Sequence, residues 1–138
     1  MIPIHHLEGR MDMYTGKIEH LKMIQDVIKR MANNSLQIKC WCLAIVSASI
    51  VLSRSSLIVA CILPVILFCY LDVNYLSLER SYRDLYDKVR AKDETDIDFS
   101  MRFTPSSKWK SFKSWSIWPF YGLMVALLSI VSVINHMW

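Results

Sequence analysis

Ionisable side chains inside the apolar parts of the sequence are the first candidates for chemistry. Asp72 directly follows the uncharged run from Ser55 to Leu71, where a charge is costly unless it reaches the membrane interface or a water-filled cavity. We favour a position at the headgroup level over a pore-lining or gating role. Pro64, inside the same run, should kink a helix, either as an ordinary feature of a membrane helix or as a gating hinge.

No catalytic motif is present: the sequence lacks the GxSxG, Walker, GxGxxG, HExxH and paired Cys/His zinc patterns. His20 and His136 fall on opposite sides of the predicted membrane, so they cannot share a site. The cysteines favour packing in apolar surroundings, or lipid attachment at Cys40 or Cys42. We therefore expect a protein that is not an enzyme, without catalytic residues, metal or cofactor. The four cysteines are Cys40, Cys42, Cys61 and Cys69.

Composition predicts an all-α integral membrane protein. The chain has 138 residues, of which 54% are hydrophobic and 20% charged, with only three Gly and four Pro. So few turn residues argue against a loop-rich β fold. The net charge of +4 arises from Lys and Arg that flank the apolar runs and mix with acidic residues, which indicates membrane contact and excludes nucleic acid as the expected partner.

Three uncharged runs are candidates for membrane spans. Cys40–Ser53 has 14 residues, Ser55–Leu71 has 17 and Trp115–Trp138 has 24. The first run covers only about 21 Å of a hydrocarbon core about 30 Å thick, so a thinned bilayer or flanking residues must complete it. The sequence divides into a cytoplasmic amphipathic helix (1–38), a transmembrane hairpin (39–72), a cytoplasmic helix with a polar linker (73–114) and a third transmembrane helix (115–138).

The two charged segments predict amphipathic helices, because their apolar residues recur every three or four positions. We expect their apolar stripes to pack on each other as a small cytoplasmic helical layer. Asn33, Asn34 and Ser35 indicate either a break or a polar turn in the first helix. The expected contacts join Leu21, Ile24 and Ile28 to Leu78, Tyr82 and Leu85.

Basic residues set the expected orientation. Six Lys and Arg precede the first apolar run and nine lie between the second and third, whereas Arg54 alone occupies the hairpin tip. The positive-inside rule then places the N-terminus in the cytoplasm and the C-terminus outside. A basic aromatic segment before the third run is typical of an interfacial anchor: Lys108, Trp109, Lys110, Lys113, Trp115 and Trp118.

Small residues at helical spacing favour close helix contact, because helix association in lipid depends on packing. These contacts are either between the three helices of one chain or between copies in a homo-oligomer. The residues are Ala44, Ser47 and Ala48 in the first run and Gly122, Ala126 and Ser129 in the third, where Ser132 extends the series.

Three stretches carry a family resemblance: HLKMIQDVIKRMANNS with an IKCW entry to the hairpin, LDVNYLSLERSYRDLYDKV, and DIDFSM. Over roughly residues 20–103 the chain resembles small bacterial membrane proteins of SLATT-like architecture, some of which are encoded beside TIR-domain proteins. The resemblance implies a pore-forming effector of antiviral defence in the bacterial inner membrane, or an anchor that recruits a soluble partner, such as a TIR-domain protein. The third apolar run is an addition to that architecture.

Overall fold

The computed structural model describes residues 4–52, 60–93 and 98–137, with side chains from residue 14 onward. Helix α1 is Ile4–Leu52, α2 is Ile62–Ala91, α3 is the short Lys108–Phe112 and α4 is Trp118–Met137. The described residues contain no strand. The all-α prediction is therefore confirmed.

Helices α1 and α2 form a long antiparallel hairpin. We call residues 4–38 of α1 and 73–91 of α2 its polar half, and the rest of the two helices its apolar half. Side-chain contacts step regularly along it, from Lys17 with Lys92 and Gln25 with Tyr86 to Ser35 with Asp72. Helix α1 has 49 residues and is about 70 Å long at 1.5 Å per residue. Neither helix is interrupted at the predicted boundaries after residues 38 and 72, so Asn33, Asn34 and Ser35 form a polar turn within α1.

One stripe of α1 faces α2 along the whole hairpin. Its buried residues recur at steps of three, four, seven or eleven positions, which keep them on one face of the helix as in a coiled-coil seam: His20, Ile24, Ser35, Cys42, Val46 and Ser49. At the apolar end, the Ser49 hydroxyl and the Cys61 thiol are 2.7 Å apart. The small residues that let the two helices approach in lipid are therefore Ser35, Cys42 and Ser49.

The small residues singled out in the sequence lie elsewhere. Ala44, Ser47 and Ala48 are exposed on the outer side of α1, about 100° or more away from the seam through Cys42 and Ser49. Of the two alternatives, packing within one chain is not seen for these three residues among the described parts of the structure, because the polar half of α1 sets which side of the helix meets α2.

Pro64 lies three residues after Cys61, a turn residue that separates the helical residue Ala60 from α2. Helix α2 begins at Ile62, so Pro64 occupies its first turn, where backbone amides have no partner within the helix and proline is tolerated. The nearest helical hydrogen bond runs from the Val65 amide to the Cys61 carbonyl at 3.2 Å. Residues 53–59, which precede this turn, lie outside the described residues, so the kink and the gating hinge at Pro64 stay predictions.

Helix α4 lies against the apolar half of the hairpin along a narrow stripe. Tyr121, Met124 and Leu128 are buried, and Val131 packs against the same cluster. Only 17% of the apolar window of α4 is buried, compared with 22% for α1 and 28% for α2. These three helices are long and apolar enough to cross a membrane, and their exposed apolar faces would otherwise lie in water. The structure thus supports a three-span membrane protein.

The polar half of the hairpin has its own core. Ile24, Leu85 and Val89 are buried there, and loop residues Met101 and Phe103 cover them. Leu21, Ile28 and Tyr82 pack around this cluster, as the sequence predicts, whereas Leu78 is half-buried and lies outside it.

Candidate functional site

A buried ion pair joins α1 and α2 where their apolar halves begin. Asp72 is completely buried, and Lys39 Nζ lies 2.6 Å from its Oδ2 atom. The Ser35 hydroxyl donates to Asp72 Oδ1, and Lys39 Nζ donates to Ser35 Oγ at 2.9 Å. Lys39 thus contacts both the carboxylate of Asp72 and the hydroxyl that binds it. These three side chains, which we call the ion-pair site, connect the two helices.

Asp72 is not an exposed residue at a helix end, and its position at the headgroup level stays a prediction. Asp72 lies inside the continuous helix α2 and has no exposed surface. Its charge is tolerated because Lys39 supplies an opposite charge within contact distance. The Lys39 side chain is only 16% exposed, so it is directed into the protein toward Asp72.

Helix α4 closes the third side of the ion-pair site. The buried Tyr121 hydroxyl donates to the Phe68 carbonyl at 3.3 Å, one helical turn before Asp72, and is close enough to Asp72 to interact electrostatically. Cys42 and Cys69 complete the apolar surroundings. Sequence reasoning missed Lys39, Ser35 and Tyr121, since only the pairing of the helices places them beside Asp72.

The ion-pair site offers structural chemistry. An ammonium bound to a carboxylate and a hydroxyl provides neither a free nucleophile nor a free base. Such a pair in a low-dielectric setting is sensitive to loss of either member, because the remaining charge is left buried without compensation. The site can therefore hold the two helices in one relative position, and a change that separates them must break it.

The basic aromatic segment, residues 108–118, lies beside the start of α4, and we call it the ledge. Trp109, Trp115 and Trp118 are 64%, 90% and 64% exposed, and Lys113 Nζ lies 5.1 Å from the centre of the Trp109 ring. Lys108 and Lys110 are also exposed. Exposed indoles with lysines match the composition of a membrane interface.

Serine hydroxyls tie this ledge to α2. Ser77 Oγ donates to the Ser106 carbonyl at 2.9 Å, and the Ser106 amide donates to Ser81 Oγ at 2.8 Å. Arg80 donates to Ser114 Oγ at 3.0 Å. The ledge is therefore held in a defined position relative to the membrane helices.

A second buried polar group lies in the polar half of the hairpin. His20 is fully buried, and neither ring nitrogen has a hydrogen-bond partner among the described residues. The Phe99 ring lies 5.5 Å from the His20 ring and 3.1 Å from the position of a Cβ atom on Gly16. Phe99 has a φ of 51°, which is strained for a bulky residue.

Replacing His20 with Leu should stabilise the protein. Two unpaired ring nitrogens would be exchanged for an apolar side chain of similar size, and an unsatisfied buried polar group costs about 1–3 kcal/mol. Thermal denaturation in detergent should show a higher midpoint for His20→Leu than for the wild type. A lower midpoint would show that the imidazole has a partner or packs better than leucine does.

The small residues of α4 face outward. Gly122, Ala126 and Ser129 are exposed, and a Cβ atom added at Gly122 would have no neighbour within 4 Å. Contacts among the described residues therefore leave this face free, as they do that of Ala44, Ser47 and Ala48. Bulk added at Gly122 is compatible with the fold of one chain.

Comparison with known proteins adds no further constraint. The chain matches no protein-family model, no curated protein and no solved structure. Among the described residues, no group of three or more His, Cys, Asp or Glu side chains is placed to hold a metal ion. The class of protein that the fold defines is a helical membrane protein with three candidate spans.

Proposed function

We propose that this chain is a non-enzymatic membrane effector of bacterial antiviral defence, which oligomerises in the inner membrane and permeabilises or depolarises it when a cytoplasmic partner triggers it. One observation carries the proposal: α1 and α2 each run without interruption from the polar half of the hairpin into the apolar half. A displacement applied at one end of a continuous helix is transmitted to the other end. The polar half would receive the signal, and the apolar half would respond.

The ion-pair site supports this mechanism as a lock between the two helices. Asp72 and Lys39 are stabilised only while α1 and α2 keep their register, and a sliding or rotation of one helix would separate them. Both charges would then require water or new partners. We infer that the resting state is the paired state and that the response begins when this contact opens.

The exposed small-residue faces support association between copies. In lipid, helices associate through close packing, since lipid tails solvate apolar side chains as well as another helix does. Gly122 and Ala126 on α4, with Ala44 and Ala48 on α1, are not covered by any part of the described chain. They are the positions at which two copies can approach most closely.

Gly122→Leu tests the effector directly. Overproduction of the wild type in a bacterium drives association by mass action and should depolarise the inner membrane, as measured with a voltage-sensitive dye. Gly122→Leu should insert normally, because leucine favours insertion and meets no neighbour in the chain. It should fail to crosslink into oligomers and should leave the membrane potential intact.

Leu123→Phe is the matched control, because Leu123 is 56% exposed and lies about 100° around α4 from Gly122. It adds bulk beside the small-residue face and should behave as the wild type does. Full depolarisation by a Gly122→Leu protein that is shown to be monomeric would exclude the oligomeric pore.

The second candidate function is that of a membrane anchor that recruits a soluble protein, such as one with a TIR domain. Exposed apolar side chains in the polar half favour it: Tyr14 and Ile18, one helical turn apart, are 56% and 37% exposed, and Phe99 is 50% exposed. An anchor would retain its function in Gly122→Leu. It would lose function when Tyr14 and Ile18 are replaced by Asp.

A further inference from the structure

An apolar groove runs between α2 and α4 on the outer side of the molecule. Its volume is about 710 Å³, within the range of about 300–1,000 Å³ that is usual for small-molecule sites. The groove lies at the depth of the apolar half of the hairpin, where a bilayer contains hydrocarbon and no water. Its walls include Val65, Cys69, Val73, Tyr121, Gly122 and Ala126.

Aromatic and basic side chains surround one end of the groove. Phe112 and Trp118 line that end, and their rings are 6.3 Å apart. Lys113 follows Phe112 directly, and its ammonium lies over the Trp109 ring, which stacks on Phe112 at 5.9 Å. The groove thus opens toward the ledge.

A second cation lies on the groove side of α2. Arg80 is seven residues after the groove residue Val73, so the two share one face of the helix. It is held there by its hydrogen bond to Ser114 Oγ. Glu79, the nearest acid in sequence, is bound to Arg83 at 2.6 Å, so it leaves the charge of Arg80 available.

We propose that this groove binds one anionic phospholipid, with an acyl chain between α2 and α4 and its phosphate at Lys113 and Arg80. Both cations suit a phosphate group, since the guanidinium binds it with directed hydrogen bonds and the ammonium as a point charge. Charge complementarity distinguishes this occupant from a second copy of the chain. In the resting state another copy would bring its own basic ledge to the same depth, so like charges would meet; the association of copies proposed above would have to overcome this repulsion after the lipid has left.

The lipid site does not depend on the proposed function, because a bound phospholipid would fill the groove whether the protein is an anchor or an effector. It does affect the effector, since Gly122 and Ala126 lie on the wall of the groove. A bound lipid would cover part of the face through which copies associate, and it would have to leave before they did.

Competition between two lipids tests the site. The purified protein in detergent is mixed with equal amounts of phosphatidylglycerol and phosphatidylcholine with identical acyl chains, and bound lipid is identified by native mass spectrometry. The wild type should retain phosphatidylglycerol in about tenfold excess or more, given two basic residues near one phosphate. The double variant Lys113→Gln, Arg80→Gln should lose that preference.

Matched variants keep the result interpretable. Lys29→Gln with Arg90→Gln removes the same charge from exposed positions in the polar half and should retain the preference. If the double variant fails to fold, Lys113→Gln alone takes its place. It should weaken the preference for phosphatidylglycerol severalfold. Val125→Trp, which fills the groove, should reduce retention of both lipids.

Three results would overturn the proposal. One is equal retention of the two lipids by the wild type. Another is loss of the preference in the Lys29, Arg90 control, which would show attraction by net charge alone. The third is a lipid-free groove in which Cys69 of one copy crosslinks to another copy, which would assign the groove to self-association.

Discussion

Replacing Lys39 with Met should destabilise the protein by about 3–5 kcal/mol. The substitution leaves the Asp72 carboxylate completely buried with the Ser35 hydroxyl as its hydrogen-bond partner, and removing one member of a buried pair costs about that much. Thermal denaturation in detergent should show a large fall in the midpoint. Lys29→Met is the matched control, since Lys29 lies on the same helix with its side chain 77% exposed and should change stability little.

A double substitution separates two contributions to the free energy of unfolding: the destabilisation by one unpaired buried charge, and the net stabilisation by the ion pair. Lys39→Met with Asp72→Leu removes both charges, and apolar replacement of a buried pair is often neutral or stabilising. We expect this variant to recover most of the stability lost in Lys39→Met. If the Lys39–Asp72 pair holds α1 and α2 in the resting state, the double variant should hold them there less firmly. It should then depolarise cells more readily than the wild type. Equal stability of Lys39→Met and the wild type would show that Asp72 is not buried against Lys39.

Leu85→Ala should destabilise the polar half of the hairpin by about 2–5 kcal/mol, the usual cost of removing a buried leucine side chain. Leu85 is only 8% exposed and packs with Ile24 and Val89 beneath the loop. The loss should appear as a lower denaturation midpoint and as faster proteolysis of residues 98–103. Leu36→Ala removes the same atoms from a side chain that is 59% exposed, so it should have little effect. Identical behaviour of the two variants would contradict the packed layer.

The sequence predicted the helices and the contacts of the polar half because charge marks the outer face there. Ile24 and Leu85 belong to stripes whose other faces carry Lys, Asp and Glu, so the buried side is evident from periodicity. In the apolar half every face is apolar, and the pattern does not distinguish the seam from the lipid-facing surface. Ala44 and Ala48 satisfied the small-residue spacing as well as Ser35, Cys42 and Ser49 did.

If the sequence had shown that α1 is continuous, it would have identified which face of the apolar half meets α2. Because the helix is unbroken, the buried face of the polar half continues into the apolar half, and steps of seven residues from Ile28 reach Ser35, Cys42 and Ser49. The Asn33–Ser35 turn left continuity undecided. The same uncertainty hid the ion-pair site, since Lys39 can be assigned to Asp72 only when the register between two continuous antiparallel helices is known.

We propose a three-span arrangement with the polar half of the hairpin in the cytoplasm, and cysteine labelling in intact cells tests it. In a background with Cys40, Cys42, Cys61 and Cys69 replaced by Ala, single cysteines are placed at Lys22 and at Met137, both of which are exposed. We expect a membrane-impermeant maleimide to label Met137→Cys from outside and to reach Lys22→Cys only after the membrane is opened. Labelling of both positions from the same side would contradict it, because an odd number of crossings must place them on opposite sides.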